Sequence, residues 1–145
     1  MLKKNSIQFH FLKPFTLLNR RALKKFIVSI FKKEIKTLRE LNIIFCDDEY
    51  LLALNRRYLD HDFYTDILSF PLSEANQPLD AEIYISVERV RENAQESGCR
   101  FTEELHRVIF HGVLHFCGYK DKTKKDINTM RLMENKCLSA YFKTL

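Results

Sequence analysis

The sequence predicts an α+β fold: a small mixed four-stranded sheet covered by about five helices, with a metal site at the end of one helix. Three observations carry this expectation. The chain has 145 residues, 46% apolar and 30% charged, the balance of a single folded domain (residues 1–145) with one hydrophobic core. Four short runs that read as strands are gathered in its first 87 residues. From Val87 onward, segments of helical period follow one another almost without a break.

Taken in order, Ile7 to Leu12 alternates well enough for an opening strand. Asn19 then precedes a segment in which Leu23, Phe26, Ile27, Ile30, Phe31, Ile35 and Leu38 fall on one side, so an amphipathic helix is expected to reach Leu38. A second strand covers Leu41 to Cys46. Asp47 and Asp48 supply a cap for a helix through Leu51, Leu52, Leu54 and Tyr58. After a polar loop, Asp66 to Pro71 reads as a strand stopped by proline and Ala81 to Val87 as another, joined by a hairpin-type connection. Three helices complete the chain: Val87 to about Ser97, ended near Gly98; Thr102 to Cys117, ended at Gly118; and Thr123 to about Phe142.

Composition narrows the function classes. No apolar stretch is long enough to cross a bilayer, and the amino terminus lacks a secretory signal pattern, so a cytoplasmic protein without a membrane partner is expected. Cys46, Cys99, Cys117 and Cys137 are widely spaced and form no CxxC pair, which disfavours a disulfide framework or a thiolate zinc knuckle. No GxxxxGK[ST] loop is present. The net charge of +5 is unevenly spread: residues 1–39 hold eleven Lys or Arg against one acid, Glu34, and the remainder is net acidic. A basic leading segment of this kind favours polyanions, nucleic acid among them, although a solvated helix face has the same composition.

The chemistry is concentrated in residues 110–121, Phe-His-Gly-Val-Leu-His-Phe-Cys-Gly-Tyr-Lys-Asp. His111 and His115, four apart on a helix, project from one face and reach a single ion. Gly118 permits the left-handed turn that ends the helix and returns the chain, so that Asp121 supplies a third ligand and one coordination position stays open for water. Gly112, a costly residue inside a helix, marks a place where another backbone or a substrate comes close. The spacing is also that of metzincin peptidases, but Gly112 occupies the place of their catalytic Glu, which disfavours peptide hydrolysis.

His111-Gly112-x-Leu114-His115-Phe116-x-Gly118-Tyr119 resembles the signature HGxLHLxGYDH of the YbeY family, metal-dependent endoribonucleases of bacterial ribosomal RNA maturation. Asn55-Arg56-Arg57-Tyr58 with Thr65 to Pro71 is similar to the family's NxxYR…PTDVLSFP, and Ala81 to Ser86 to its GDIxIS. The resemblance implies a zinc-dependent endoribonuclease holding one Zn²⁺ through His111, His115 and Asp121. Its nucleophile would be a metal-bound water, and its partners single-stranded RNA, ribosomal RNA or the small ribosomal subunit. It also implies roles in ribosomal RNA processing and ribosome quality control. The chain departs from the pattern at four places: Asp121 replaces the third histidine, Lys120 the preceding aspartate, Leu59 an arginine and Tyr64 a proline. A two-histidine, one-carboxylate set is still a known zinc arrangement. The loss at Leu59 removes a phosphate clamp that Arg56, Arg57 or His61 would have to replace. Arg107 and Glu104, on the histidine face of the helix, are candidates for a phosphate contact and an imidazole acceptor, solvent-exposed side chains being the commoner outcome at such positions. An RNA-binding assembly factor with a structural metal and little nuclease activity is the alternative.

Overall fold

The computed structural model describes residues 6–145; Lys3 and Lys4 of the basic leading segment lie outside them. Along the chain run β1 (Ser6–Phe11), α1 (Arg20–Lys33), β2 (Leu38–Cys46), α2 (Asp48–Leu59), β3 (Ile67–Pro71), β4 (Leu79–Ser86), α3 (Val87–Ser97), α4 (Phe101–Phe116) and α5 (Lys124–Lys143). The strands lie in the order β1-β2-β4-β3. The first two pairings are parallel and β3–β4 is antiparallel, so the sheet is mixed. This is the predicted α+β architecture.

The period of two in the strands separates the faces. Leu41, Ile43 and Phe45 of β2 and Ala81, Ile83 and Ile85 of β4 enter the main core with α1, α4 and α5. On the other face Leu68, Phe70 and Tyr84 pack with Cys46 and Leu51 beneath α2. Helix α4 is the centre of the main core, burying Leu105, Val108, Ile109, Phe110, Val113 and Leu114. Each such side chain contributes about 1.5–3 kcal/mol, which fixes firmly the helix that carries both histidines. Ser86 caps α3 and donates to Asp48, which also pairs with Arg89, so β4, α2 and α3 are tied at one corner.

Two expectations are corrected. Helix α1 stops at Lys33 rather than running to Leu38: Ile35 takes φ 56° and is 92% exposed, while Leu38 is buried at the start of β2. The Lys36 amide donates to the Phe31 carbonyl and the Ile35 amide to Lys32, a Schellman ending with isoleucine where glycine is usual. Leu38 keeps the helical period but enters the core from a strand. Gly112, in turn, faces neither backbone nor an open cleft. A Cβ there would lie 2.8 Å from Ile67 Cδ1 and 3.0 Å from Ile83 Cδ1, so the glycine seats α4 closely on β3 and β4.

Candidate metal centre

The last turn of α4 builds the site locally. Gly118 takes φ 102°, its amide donates to the His115 carbonyl, and the Tyr119 amide donates to Leu114. The chain reverses as the glycine predicts and carries Asp121 back toward the histidines. Asp121 is not the cap of the following helix. Thr123 caps α5 and exchanges a reciprocal pair of hydrogen bonds with Asp126.

His111 Nε2 lies 2.9 Å from His115 Nε2 and 3.5 Å from Asp121 Oδ2; His115 Nε2 lies 3.1 Å from the same oxygen. The imidazoles meet edge to face, with ring centroids 4.5 Å apart. Donors about 2.0–2.2 Å from one tetrahedral ion would stand roughly 3.3 Å from each other. The three side chains therefore have the spacing of a ligand set.

The outer ring nitrogens show why these donors suit a cation. His111 Nδ1 lies 2.6 Å from Glu134 Oε2, and His115 Nδ1 lies 2.8 Å from the Tyr119 carbonyl. A carboxylate and a carbonyl accept only, so each Nδ1 carries the proton and each Nε2 turns a lone pair inward. Two lone pairs and a carboxylate facing one point repel one another unless a positive charge lies between them. The donor set fits a metal ion.

Glu134, on α5, has no signature in the contiguous motif. It is 5% exposed, accepts from Arg107 Nη1 at 3.2 Å and has Arg131 Nη1 at 3.6 Å. Burial raises its carboxyl, but His111, Arg107 and Arg131 outweigh that and hold it below the ordinary range. Burial lowers His111, and the Glu134 hydrogen bond, with the charges of Glu134, Asp121 and Asp66, holds it above. The imidazole acceptor is thus Glu134 and not Glu104. The helical spacing of α5, with Met130, Glu134, Cys137 and Tyr141 on its buried face, is the one signal that would have placed a carboxylate in the core.

Two cavities flank the three donors and share Asp66, Ile67, His111 and Asp121. One, of about 700 Å³, runs along β3 past Leu59, Thr65 and Lys122. The other, of about 370 Å³, lies between α4 and α5 and contains Glu104, Arg107 and Arg131. Asp66 is half-buried, and burial pushes its carboxyl up against the lowering by His111. Arg107 therefore reaches the site. Arg56, Arg57 and His61 line neither cavity: Arg56 pairs with Asp62, Arg57 lies over the Tyr58 ring and His61 stacks on Phe63. Leu59, by contrast, lines the wider cavity that His111 and His115 also line. The buried Asn55 side chain donates to the Phe63 carbonyl at 3.0 Å and holds that loop against α2.

The other side chains weighed from sequence lie elsewhere. His106 is buried and stacked on Tyr141, and His10 bonds Asn42 at the sheet surface. Met130 is core, and no helix of the described residues is long and apolar enough to cross a membrane.

Residues 12–142 match the family described as Endoribonuclease YbeY. The Endoribonuclease YbeY of Cytophaga hutchinsonii is 47% identical over 125 residues, covering 86% of this chain and 87% of the relative. That of Flavobacterium johnsoniae is 42% identical over 135 residues, covering 93% and 96%. The solution structure of TM1509 from Thermotoga maritima superimposes with a TM-score of 0.65 at 28% identity, covering 96% of this chain and 90% of that one.

Proposed function

Because the chain belongs to the endoribonuclease YbeY family, we propose that it is a zinc-dependent endoribonuclease of ribosomal RNA processing and ribosome quality control. In this reading it is one cytoplasmic metallohydrolase domain, residues 1–145, that cuts single-stranded RNA bound alone or on the small ribosomal subunit. The observation that supports it best is the convergence of His111 Nε2, His115 Nε2 and Asp121 Oδ2, with both Nδ1 atoms held from outside.

His111, His115 and Asp121 would hold one Zn²⁺ per chain. The chemistry such an ion supplies is Lewis acidity, which polarises a phosphoryl oxygen and makes water nucleophilic at neutral pH. Glu134 and the Tyr119 carbonyl keep both imidazoles in the tautomer that presents Nε2. Asp121, as an anion, lowers the net charge of the ligand set relative to three imidazoles, so the water would be somewhat less acidic than with three histidines. The strand would cross the donors from one cavity to the other, touching Arg107 in the narrower. Arg56, Arg57 and His61 would meet the RNA farther along, beside Leu59, and the exposed lysines of α1 would add long-range attraction.

Asp121→Ala is the test. The purified chain should carry close to one zinc ion, and the variant should lose both metal and cleavage of single-stranded RNA. Full metal and full cleavage in the variant would remove Asp121 from the site. One observation favours a second reading: Leu59 puts an apolar side chain on the cavity wall where the family has an arginine. In an assembly factor with a structural ion, RNA binding would depend strongly on salt, chelation would unfold the chain, and no cleavage would occur.

A further inference from the structure

The narrower cavity has a composition unlike that of a phosphate site. Four carboxylates, from Asp66, Glu104, Asp121 and Glu134, stand against two guanidiniums, from Arg107 and Arg131. One of those acids is already engaged by His111 and Arg107. Even with a divalent ion in place the charges only balance, so a phosphate would gain little there and a neutral group fits better.

The walls define what kind of neutral group. Ile67, Val108, Ile127 and Met130 provide apolar surface, and Ile127 is 51% exposed. The Glu104 side chain is 14% exposed and its carboxylate makes no hydrogen bond among the described residues; its nearest cation is Arg107 Nε, 3.9 Å away. Arg107 uses Nη1 on Glu134 and has Nε and Nη2 free of hydrogen bonds within the described chain. A carboxylate acceptor and a guanidinium donor thus stand side by side in a cavity that these apolar side chains also line. A volume of about 370 Å³ is within the range of small-molecule sites.

We propose that this cavity is a nucleobase pocket for the nucleotide next to the scissile phosphate, selective for guanine through Glu104 and Arg107. A base presents apolar faces to such walls and a polar edge to a carboxylate and a guanidinium, and bases splayed from a single strand are read on that edge. Guanine alone among the four offers two adjacent N–H donors, N1–H and the exocyclic amine, to one carboxylate, with a carbonyl beside them for a guanidinium. Uracil has a single N–H between two carbonyls; cytosine and adenine each offer one amine beside acceptors. The assignment rests on the RNA-cleaving reading for its placement, yet it is separable by experiment.

The zinc-loaded full chain is titrated with the four ribonucleosides, which lack the phosphate an ion would recruit, while the methyl signals of Ile127 and Met130 are followed by NMR. Guanosine should bind about ten-fold or more tightly than uridine, and Glu104→Gln should erase that preference with the fold intact by circular dichroism. Equal shifts from all four nucleosides, or an unchanged preference in E104Q, overturn the pocket. Single-stranded RNAs differing at one position beside the cut supply the second measurement, with the guanine preference expected in KM. Cleavage without any base preference refutes the pocket and leaves the nuclease standing. Guanosine selectivity without cleavage of any RNA does the reverse.

Discussion

Glu134 is the residue through which α5 should control metal affinity. Its carboxylate is 5% exposed and receives the His111 Nδ1 proton at 2.6 Å and the Arg107 guanidinium at 3.2 Å. Truncation to alanine removes the acceptor that fixes the His111 tautomer, so the ring can place its proton on Nε2, where it would block the ion. Loss of such an outer partner weakens metal binding about 10- to 100-fold, or roughly 1.4–2.7 kcal/mol. Glu134→Gln keeps an acceptor oxygen of the same reach but no charge, and should fall near the lower end; Glu134→Ala should fall near the upper. The assay is zinc competition against a chelator of known affinity, with the His111 Nδ1 proton followed by NMR. A purely structural role for Glu134 would unsettle the fold without freeing that proton in the folded fraction. Zinc affinities within two-fold of the parent chain in both variants, with the Nδ1 proton retained, would refute the reasoning.

Three further outcomes test the fold around the site. Ile35→Gly should stabilise the chain by about 1 kcal/mol and raise the thermal midpoint by a few degrees. It relieves a β-branched residue at φ 56° whose side chain is 92% exposed, and a midpoint below the parent's would contradict this. Gly112→Val should cost at least about 2 kcal/mol by circular-dichroism melts, since even a bare Cβ would crowd Ile67 and Ile83, and Ile67 borders both cavities. Burial holds the His106 imidazole below its ordinary pKa, against a raising hydrogen bond to Thr102. The unfolded chain therefore takes up a proton that the folded chain refuses. This contribution is fully present above about pH 6.5 and is lost as pH falls below it, at no more than about 1.4 kcal/mol per pH unit. His106→Phe should remove that share of the slope, so the melting difference between variant and parent should change in the variant's favour between pH 7.5 and pH 5.

What the sequence alone determined is whatever a contiguous window can encode. His111 and His115 are one helical turn apart in any α-helix, and Gly118 ends that helix in a left-handed turn wherever it is placed, so the approach of Asp121 follows from eleven residues of local geometry. The strands, too, follow from local alternation, and the caps Asp47, Ser86 and Thr123 sit where short polar side chains precede helical periods. The end of α1 was not legible, because Ile35 and Leu38 continue the helical period and only the demand of β2 for Leu38 in the core decides against it. Nor was the partner of His111: Glu104 has the better spacing on the same helix, whereas Glu134 arrives from 23 residues away because α5 packs on α4. The tertiary structure likewise kept Arg107 at the site and left Arg56, Arg57 and His61 outside its cavities. Ligand spacing is a property of backbone geometry over a few residues; the groups that tune those ligands are chosen by which buried faces meet, and that depends on the whole core.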